Sequence, residues 1–241
     1  MKPAPFDYFA PRSVEEALER VTEHGFDAKL LAGGQSLIPL LNFRLASPAV
    51  LIDLNPIAEL DFVRLDDEGS LRIGAMTRQA TLERDPLVAR HAPLLAETIP
   101  FVAHPQIRNR GTIGGTLAHA DPAAELPAIA VALGMSIRVR SSTGGRWIAA
   151  REFFTGLLST ALAPDEMIVE VAIPAQPERT GCRFLEISRR HGDYAQVGVA
   201  ATVTLDADGS CSEATLAYLS VGDTPLLASH AADLLSGNAL G

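Results

Sequence analysis

The chain has 241 residues, of which 47% are hydrophobic, so it can bury a core and global disorder is excluded. Its 29 acidic and 20 basic residues give a net charge of −9, which disfavours nucleic acid or anionic lipid as the main partner. Two cysteines are too few for this chain alone to hold an iron–sulfur cluster with four cysteine ligands. The sequence has neither an apolar signal region nor 18 consecutive apolar residues, so we expect no membrane span.

The first sixty residues predict a helix and then a strand–loop–helix–strand unit. Ser13 and Glu16 have the spacing of a capping box, and the apolar residues from Val14 to Val21 recur at helical spacing. A short buried strand is expected at 28–33, a helical segment at 36–45 and a second strand at 49–54. This order and length are typical of a compact βαβ unit.

The remaining chain predicts helices followed by antiparallel strands. Residues 81–99 read as two helical pieces, because Pro86 and Pro93 interrupt them. Asp121 before Pro122 fits the N-cap and first position of a later helix. A hairpin is expected over 135–154, a linker near 173–181, two strands with one buried face over 196–222, and a closing helix.

Two glycine-rich loops are the main candidate for a binding site. The first is Gly33-Gly34-Gln35-Ser36, and the second spans residues 111–116. Glycine lets backbone amides approach phosphate oxygens closely, and neighbouring hydroxyls add donors. Two such loops could meet and hold the two halves of one pyrophosphate. The alternative is that each loop is an ordinary turn, since neither matches the Rossmann G-x-G-x-x-G or the P-loop motif.

Three stretches, in this order and at these separations, carry a family resemblance: LLAGGQSLIPLLNFRL, RNRGTIGGTLAHADPAAELPA and RRHGDYAQVGVA. The chain resembles the FAD-binding medium subunits of molybdenum hydroxylases, of the carbon monoxide dehydrogenase and xanthine dehydrogenase family. The resemblance implies an α+β fold with two FAD-binding subdomains, of the PCMH or vanillyl-alcohol-oxidase-like type, at 1–56 and 57–174. A C-terminal α+β domain with an antiparallel sheet, expected to be incomplete, would occupy 175–241.

The resemblance also implies which residues contact the cofactor. The expected FAD-binding residues are Ala32, Gly33, Gly34, Gln35, Ser36, Thr112, Ile113, Gly114, Gly115, Thr116, His119, Asp121, Glu125 and Tyr194. Within this set, Glu125 falls where a carboxylate faces the adenosine ribose. Tyr194 falls where an aromatic ring could stack on the isoalloxazine. Gln196 replaces a lysine of the NAD-reducing animal relatives, which weakens the case for NAD as acceptor.

The implied activity is that of one subunit of a larger oxidoreductase. Partner subunits would be a small subunit with [2Fe-2S] clusters and a large subunit with molybdopterin-molybdenum, in an (αβγ)2 heterotrimeric assembly. Electrons would leave FAD for an external acceptor, and no residue here would be catalytic. We expect a cytoplasmic location, with a peripheral position at the inner membrane face left open.

Other functions have weaker support in the sequence. The alternatives are a stand-alone FAD-dependent oxidoreductase with its own small-molecule substrate and a non-enzymatic domain that kept only the fold. Intact glycine loops argue against the second of these. The scattered histidines predict no metal site, and no G-x-S-x-G or S-x-x-K motif supports a hydrolase.

Overall fold

A computed structural model describes residues 2–238. The first of its sheets is parallel. Helix α1 begins after Ser13, whose hydroxyl accepts from the Glu16 amide at 3.2 Å, so the predicted cap is confirmed. The strand order is β1-β3-β2, and β2 and β3 are the predicted strands of the βαβ unit. The elements are β1 Asp7–Phe9, α1 Val14–His24, β2 Ala28–Leu31, α2 Leu37–Asn42 and β3 Val50–Asp53.

The second sheet has five antiparallel strands in the order β4-β5-β10-β6-β7, and helices pack on it. Its strands are β4 Val63–Leu65, β5 Leu71–Gly74, β6 Ser136–Ser141, β7 Gly144–Ala149 and β10 Met167–Ile173. The helices are α3 Gln79–Leu82, α4 Pro86–His91, α5 Pro93–Thr98, α6 Pro105–Arg108, α7 Ile113–His119, α8 Glu125–Ala132 and α9 Ala150–Phe153. A separate two-stranded sheet pairs β8 Phe154–Gly156 with β9 Ser159–Thr160.

The third sheet is antiparallel, as the alternating apolar residues predict, and it follows the expected linker. Its order is β11-β12-β13-β14, and every residue of α8, which packs against β12 and β13, is buried. The elements are β11 Thr180–Ile187, β12 Val197–Leu205, β13 Cys211–Leu219, β14 Leu226–Leu227 and α10 Ser229–Leu235.

Two hydrophobic clusters hold the sheets together. The larger one joins the second sheet, its helices and the inner face of the third sheet. The smaller one packs α1 and β3 against Met167 and Val169 of β10 and against Met76, which follows β5. The first two sheets therefore share a core. Across residues 2–238, no helix is both long enough and apolar enough to cross a membrane.

Two local predictions differ from the structure. Asp121 does not cap a helix that starts at Pro122, because its Oδ1 accepts from the Ala123 amide at 2.9 Å and closes a turn. Helix α8 begins at Glu125 instead. In the predicted helical stretch 81–99, Pro86 and Pro93 each start a helix at its first position, so the interruptions are as predicted, but the residues before Pro86 belong to the end of a separate short helix, α3.

Candidate functional site

The first glycine loop connects β2 to α2 and has unused backbone donors. None of the five amides from Ala32 to Ser36 donates to an acceptor within residues 2–238. Gly34 has φ +74°, a left-handed conformation that favours glycine. The Ser36 hydroxyl is exposed and does not cap α2. A run of free amides around such a turn is the usual form of an anion-binding nest.

The second glycine loop is built differently, because α7 starts inside it. Thr112 is the N-cap, and its Oγ1 accepts from the Gly115 amide at 3.1 Å. The Ile113 amide donates to the Thr77 carbonyl, and the Gly114 amide donates to the Ala75 carbonyl at 2.9 Å. These amides are therefore committed to the fold. The hydroxyls of Thr112 and Thr116 remain as possible donors to a ligand.

The two loops meet, as predicted, and glycine is what allows the contact. A Cβ on Gly33 would lie 2.4 Å from the Arg110 carbonyl oxygen and 2.8 Å from the Gly111 Cα. A Cβ on Gly114 would lie 2.7 Å from the Ala75 Cβ. The missing side chains of Gly33 and Gly114 therefore permit backbone-to-backbone packing rather than leaving room for a ligand.

The paired loops form one wall of a cavity of about 480 Å³ between the first two sheets. Ten of the fourteen predicted binding residues line it: Ala32, Gly33, Gly34, Gln35, Ser36, Thr112, Gly114, Gly115, Thr116 and His119. Apolar residues form much of the remaining wall: Leu30, Leu40, Leu54, Met76, Leu158, Leu162 and Ile168. A polar cradle beside an apolar slot suits a ligand that carries both phosphate and a planar ring.

Residues 4–176 match the family described as the FAD binding domain in molybdopterin dehydrogenase. The chain belongs to this family. Residues 183–241 match the CO dehydrogenase flavoprotein C-terminal domain. Together the two matches make the chain an FAD-binding medium subunit of the molybdenum hydroxylases, as the three sequence stretches predict.

Individual relatives agree with this assignment. The 6-hydroxypseudooxynicotine dehydrogenase complex subunit alpha of Paenarthrobacter nicotinovorans is 45% identical over 240 residues, which cover 100% of this chain and 81% of the relative. The carbon monoxide dehydrogenase medium chain of Afipia carboxidovorans is 39% identical over 241 residues, with 100% and 83% covered. The solved carbon monoxide dehydrogenase of Hydrogenophaga pseudoflava superposes with a TM-score of 0.96 at 40% identity, covering 100% of this chain and 83% of that one.

The remaining four predicted residues of the medium subunit lie outside the cavity wall. Ile113 is buried in the larger hydrophobic cluster. Asp121, Glu125 and Tyr194 form a second group: partial loss of solvation raises the pKa of Tyr194, and the charges of Asp121 and Glu125 raise it further. The adenosine ribose and the flavin ring lie on opposite sides of the diphosphate in an extended FAD. The charge of Glu125 acts on Tyr194, although the predictions assign Glu125 to the adenosine end of FAD and Tyr194 to its flavin ring; both roles remain predictions.

Sequence reasoning missed the side chains that hold the loops in place. Asn55 donates from Nδ2 to the Ala32 carbonyl at 3.0 Å. Gln79, only 3% exposed, donates from Nε2 to Thr116 Oγ1 at 2.9 Å. Arg108 lies just before the second loop and is 5% exposed. Arg108 is part of the family stretch, but nothing in the sequence marks Asn55 or Gln79.

Arg108 fixes the segment that leads into the second loop. Its Nε and Nη2 donate to the two carboxylate oxygens of Glu83 at 2.9 and 3.2 Å. Its Nη1 donates to the Val102 carbonyl at 3.1 Å. A two-point contact of this kind sets orientation as well as distance. The position of Gly111 therefore depends on an ion pair with Glu83, the residue directly after α3.

The residues present fit an FAD diphosphate. Its negative oxygens need several donors, and the first loop has five amides without acceptors and the Ser36 hydroxyl. Lys29 and His119 also line the cavity. Its one acidic lining residue among residues 2–238, Glu166, is paired with Arg146 at 2.8 Å.

Proposed function

We propose that Ala32, Gly33, Gly34, Gln35 and Ser36 hold the FAD diphosphate through their amides and the Ser36 hydroxyl. The single observation that carries this is the row of five amides without acceptors, in a loop that lines the cavity. A hydrogen bond to a charged group contributes about 1.5–3 kcal/mol, so a few of them suffice for retention. Gln35 itself stiffens the loop, since its Nε2 donates to the Gly33 carbonyl at 3.0 Å.

The second loop contributes mainly through hydroxyls and shape. Thr112 and Thr116 can donate to phosphate. Ile113 and Gly114 tie the start of α7 to the segment after β5, and Gly115 lies against Ala32 of the first loop. His119 ends α7 at the cavity wall, where its ring can donate to a ribityl or phosphate oxygen. The apolar slot accepts one planar ring of the cofactor. Tyr194 covers the flavin ring, and the charges of Asp121 and Glu125 act on Tyr194.

FAD, when bound, supplies the chemistry that accepts electrons from one-electron carriers and passes them on to an acceptor. The chain binds and orients the cofactor, and none of its side chains needs to act as an acid or base. We propose that it works with an iron–sulfur small subunit and a molybdenum large subunit in an (αβγ)2 assembly. The support is that the relatives are named as chains or subunits of larger enzymes.

The substrate of the whole enzyme is set elsewhere. The relatives are named for carbon monoxide and for 6-hydroxypseudooxynicotine, which differ greatly in size, although both are about 40–45% identical to this chain. We therefore place substrate choice in the molybdenum subunit and electron transfer to an external acceptor in this one. The division at 56 and 174 and a cytoplasmic location remain predictions; both cysteines are free thiols, as a reducing compartment favours.

Competition between cofactor fragments tests the diphosphate cradle. FAD, ADP and riboflavin are titrated against the purified chain by calorimetry. If the diphosphate is the anchor, ADP should retain most of the affinity, and riboflavin should bind at least about a hundredfold more weakly than FAD, the loss of roughly two charged hydrogen bonds. Riboflavin binding as tight as FAD binding would refute the cradle, because riboflavin has no phosphate.

A further inference from the structure

Ser220, the residue directly after β13, has an uncommon backbone conformation. Its φ is +60°, in the left-handed region that favours glycine. Its amide donates to the Pro122 carbonyl at 2.9 Å, and its hydroxyl donates to the Ala195 carbonyl at 2.8 Å. A glycine would adopt this conformation without strain but could make only the first of these hydrogen bonds. The hydroxyl is therefore a physical reason for a side chain at this position.

The two hydrogen bonds of Ser220 join the cavity side of the molecule to the segment that carries Tyr194. Pro122 lies three residues after His119, which ends α7 and lines the cavity. Ala195, only 6% exposed, directly follows Tyr194. The route from the end of α7 to Tyr194 through Ser220 is therefore short.

The loop at 188–196 is also held at two other points. The Gln196 amide donates to the Ile187 carbonyl at 2.8 Å and closes the base of the loop. A Cβ on Gly192 would lie 2.5 Å from the His104 ring, so the backbone packs closely there. These contacts fix the base and one flank of the loop. The other flank is the one that the hydroxyl after β13 holds.

Strained backbone conformations cluster around this loop. Six non-glycine residues among residues 2–238 have a left-handed φ, and three of them are Ala103, Ala120 and Ser220. The Ala103 carbonyl oxygen would lie 2.8 Å from a Cβ on Gly192, and Ala120 leads from α7 to Pro122. Such conformations persist only where surrounding contacts fix them, and they concentrate at functional sites. The cluster indicates that the position of the loop is built into the fold.

We propose that Ser220 is a positioning residue that fixes Tyr194 relative to α7 and the cofactor cavity. The Tyr194 side chain is 71% exposed, so its place is set mainly through the backbone of Ala195. The fixing of the loop requires no flavin. That it places an aromatic ring over the flavin rests on the function proposed above.

Hydrogen–deuterium exchange of the cofactor-free chain tests the fixing of the loop. In Ser220→Ala and Ser220→Gly, protection of the Asp193 and Gln196 amides, which donate within the loop, should fall by about three- to tenfold, the factor that one hydrogen bond contributes. Ser212→Ala is the matched control, because the Ser212 hydroxyl also donates to a carbonyl, that of Thr204 at 3.0 Å. Wild-type protection of the loop in both Ser220 variants would overturn the proposal.

Thermal melting distinguishes positioning from a general structural role. Ser220→Gly loses the hydroxyl but relieves the left-handed backbone, so its effects on the melting temperature oppose each other. We expect a melting temperature close to that of the wild type together with a loss of protection confined to the loop. A loss of protection spread over all three sheets would count against the proposal.

The fluorescence of bound FAD tests the placing of Tyr194. A tyrosine stacked on a flavin ring quenches its emission by electron transfer to the excited ring. Ser220→Gly should therefore raise the emission, as Tyr194→Ala does, while FAD affinity falls less than about tenfold, the factor of one hydrogen bond. A rise in Tyr194→Ala alone would show that Ser220 does not position the ring. No rise in either variant would refute the cover over the flavin, and the exchange result would then decide on Ser220 by itself.

Discussion

Replacing Gly33 by alanine tests whether the contact between the two loops builds the cradle. The new Cβ would lie 2.4 Å from the Arg110 carbonyl oxygen and 2.8 Å from the Gly111 Cα, both backbone atoms. Ordinary contact needs about 3.5 Å, so the loops must separate by roughly 1 Å. Overpacking of this kind costs about 1–3 kcal/mol, which lowers the melting temperature by about 2–10 °C in a chain of this size.

The effect on FAD should exceed the effect on stability. A shift of roughly 1 Å misaligns two or more of the charged hydrogen bonds, so FAD affinity should fall by about a hundredfold or more. Gly181→Ala is the matched control, because its Cβ would meet nothing within 4 Å. FAD titration and thermal melting are measured on both variants. Wild-type FAD affinity in a folded Gly33→Ala chain would refute the reasoning.

Three further changes have defined outcomes. Arg108→Ala leaves Glu83 unpaired and should destabilise the chain by about 3 kcal/mol, whereas exposed Arg84→Ala should leave the melting temperature almost unchanged. Glu125→Gln should make the free energy of unfolding less dependent on pH. The wild type should lose up to about 3 kcal/mol between pH 4.5 and 7, because the pKa of Glu125 rises from 4.5 to about 7 on folding. Urea unfolding measures this loss, and a variant that keeps it would contradict the burial argument. Tyr194→Ala should change the rate of reaction with an acceptor while FAD affinity falls less than about tenfold, and equal reoxidation rates in both proteins would exclude a cover over the ring.

Local sequence signals were sufficient for much of the fold. Ser13 and Glu16 located the start of α1 because capping involves residues only three apart. The alternation along Val197–Leu205 identified β12 because one face of an antiparallel sheet is buried and the other is not. The order β2–α2–β3 followed from short apolar runs separated by glycines.

Features that depend on contacts between residues far apart in the sequence could not be predicted from local patterns. The Gly114 amide is committed to the carbonyl of Ala75, a residue some forty positions earlier, so the second loop looked like a row of free donors in the sequence. Asn55 and Gln79 act through single hydrogen bonds across the fold, which no local pattern encodes. The same applies to Asp121, whose carboxylate closed a turn instead of capping a helix.

The candidate site was also only partly predictable from the sequence. That the two loops meet was predicted from their paired glycines and is confirmed by the contact of Gly33 with Gly111. The individual ligand roles remain predictions. Burial of Glu125 depends on how α8 packs on β12 and β13, and helical periodicity says only that the start of α8 belongs to an apolar segment.

Because of the tight backbone contacts at Gly33 and Gly114, these two glycines are poor indicators of whether a divergent copy of this subunit still binds flavin. A descendant that had lost its flavin would still be under selection to keep both glycines, since any side chain there pushes apart main-chain atoms that meet with or without a ligand. Ser36 is a better marker of cofactor loss, because its exposed hydroxyl does not cap the helix that it precedes.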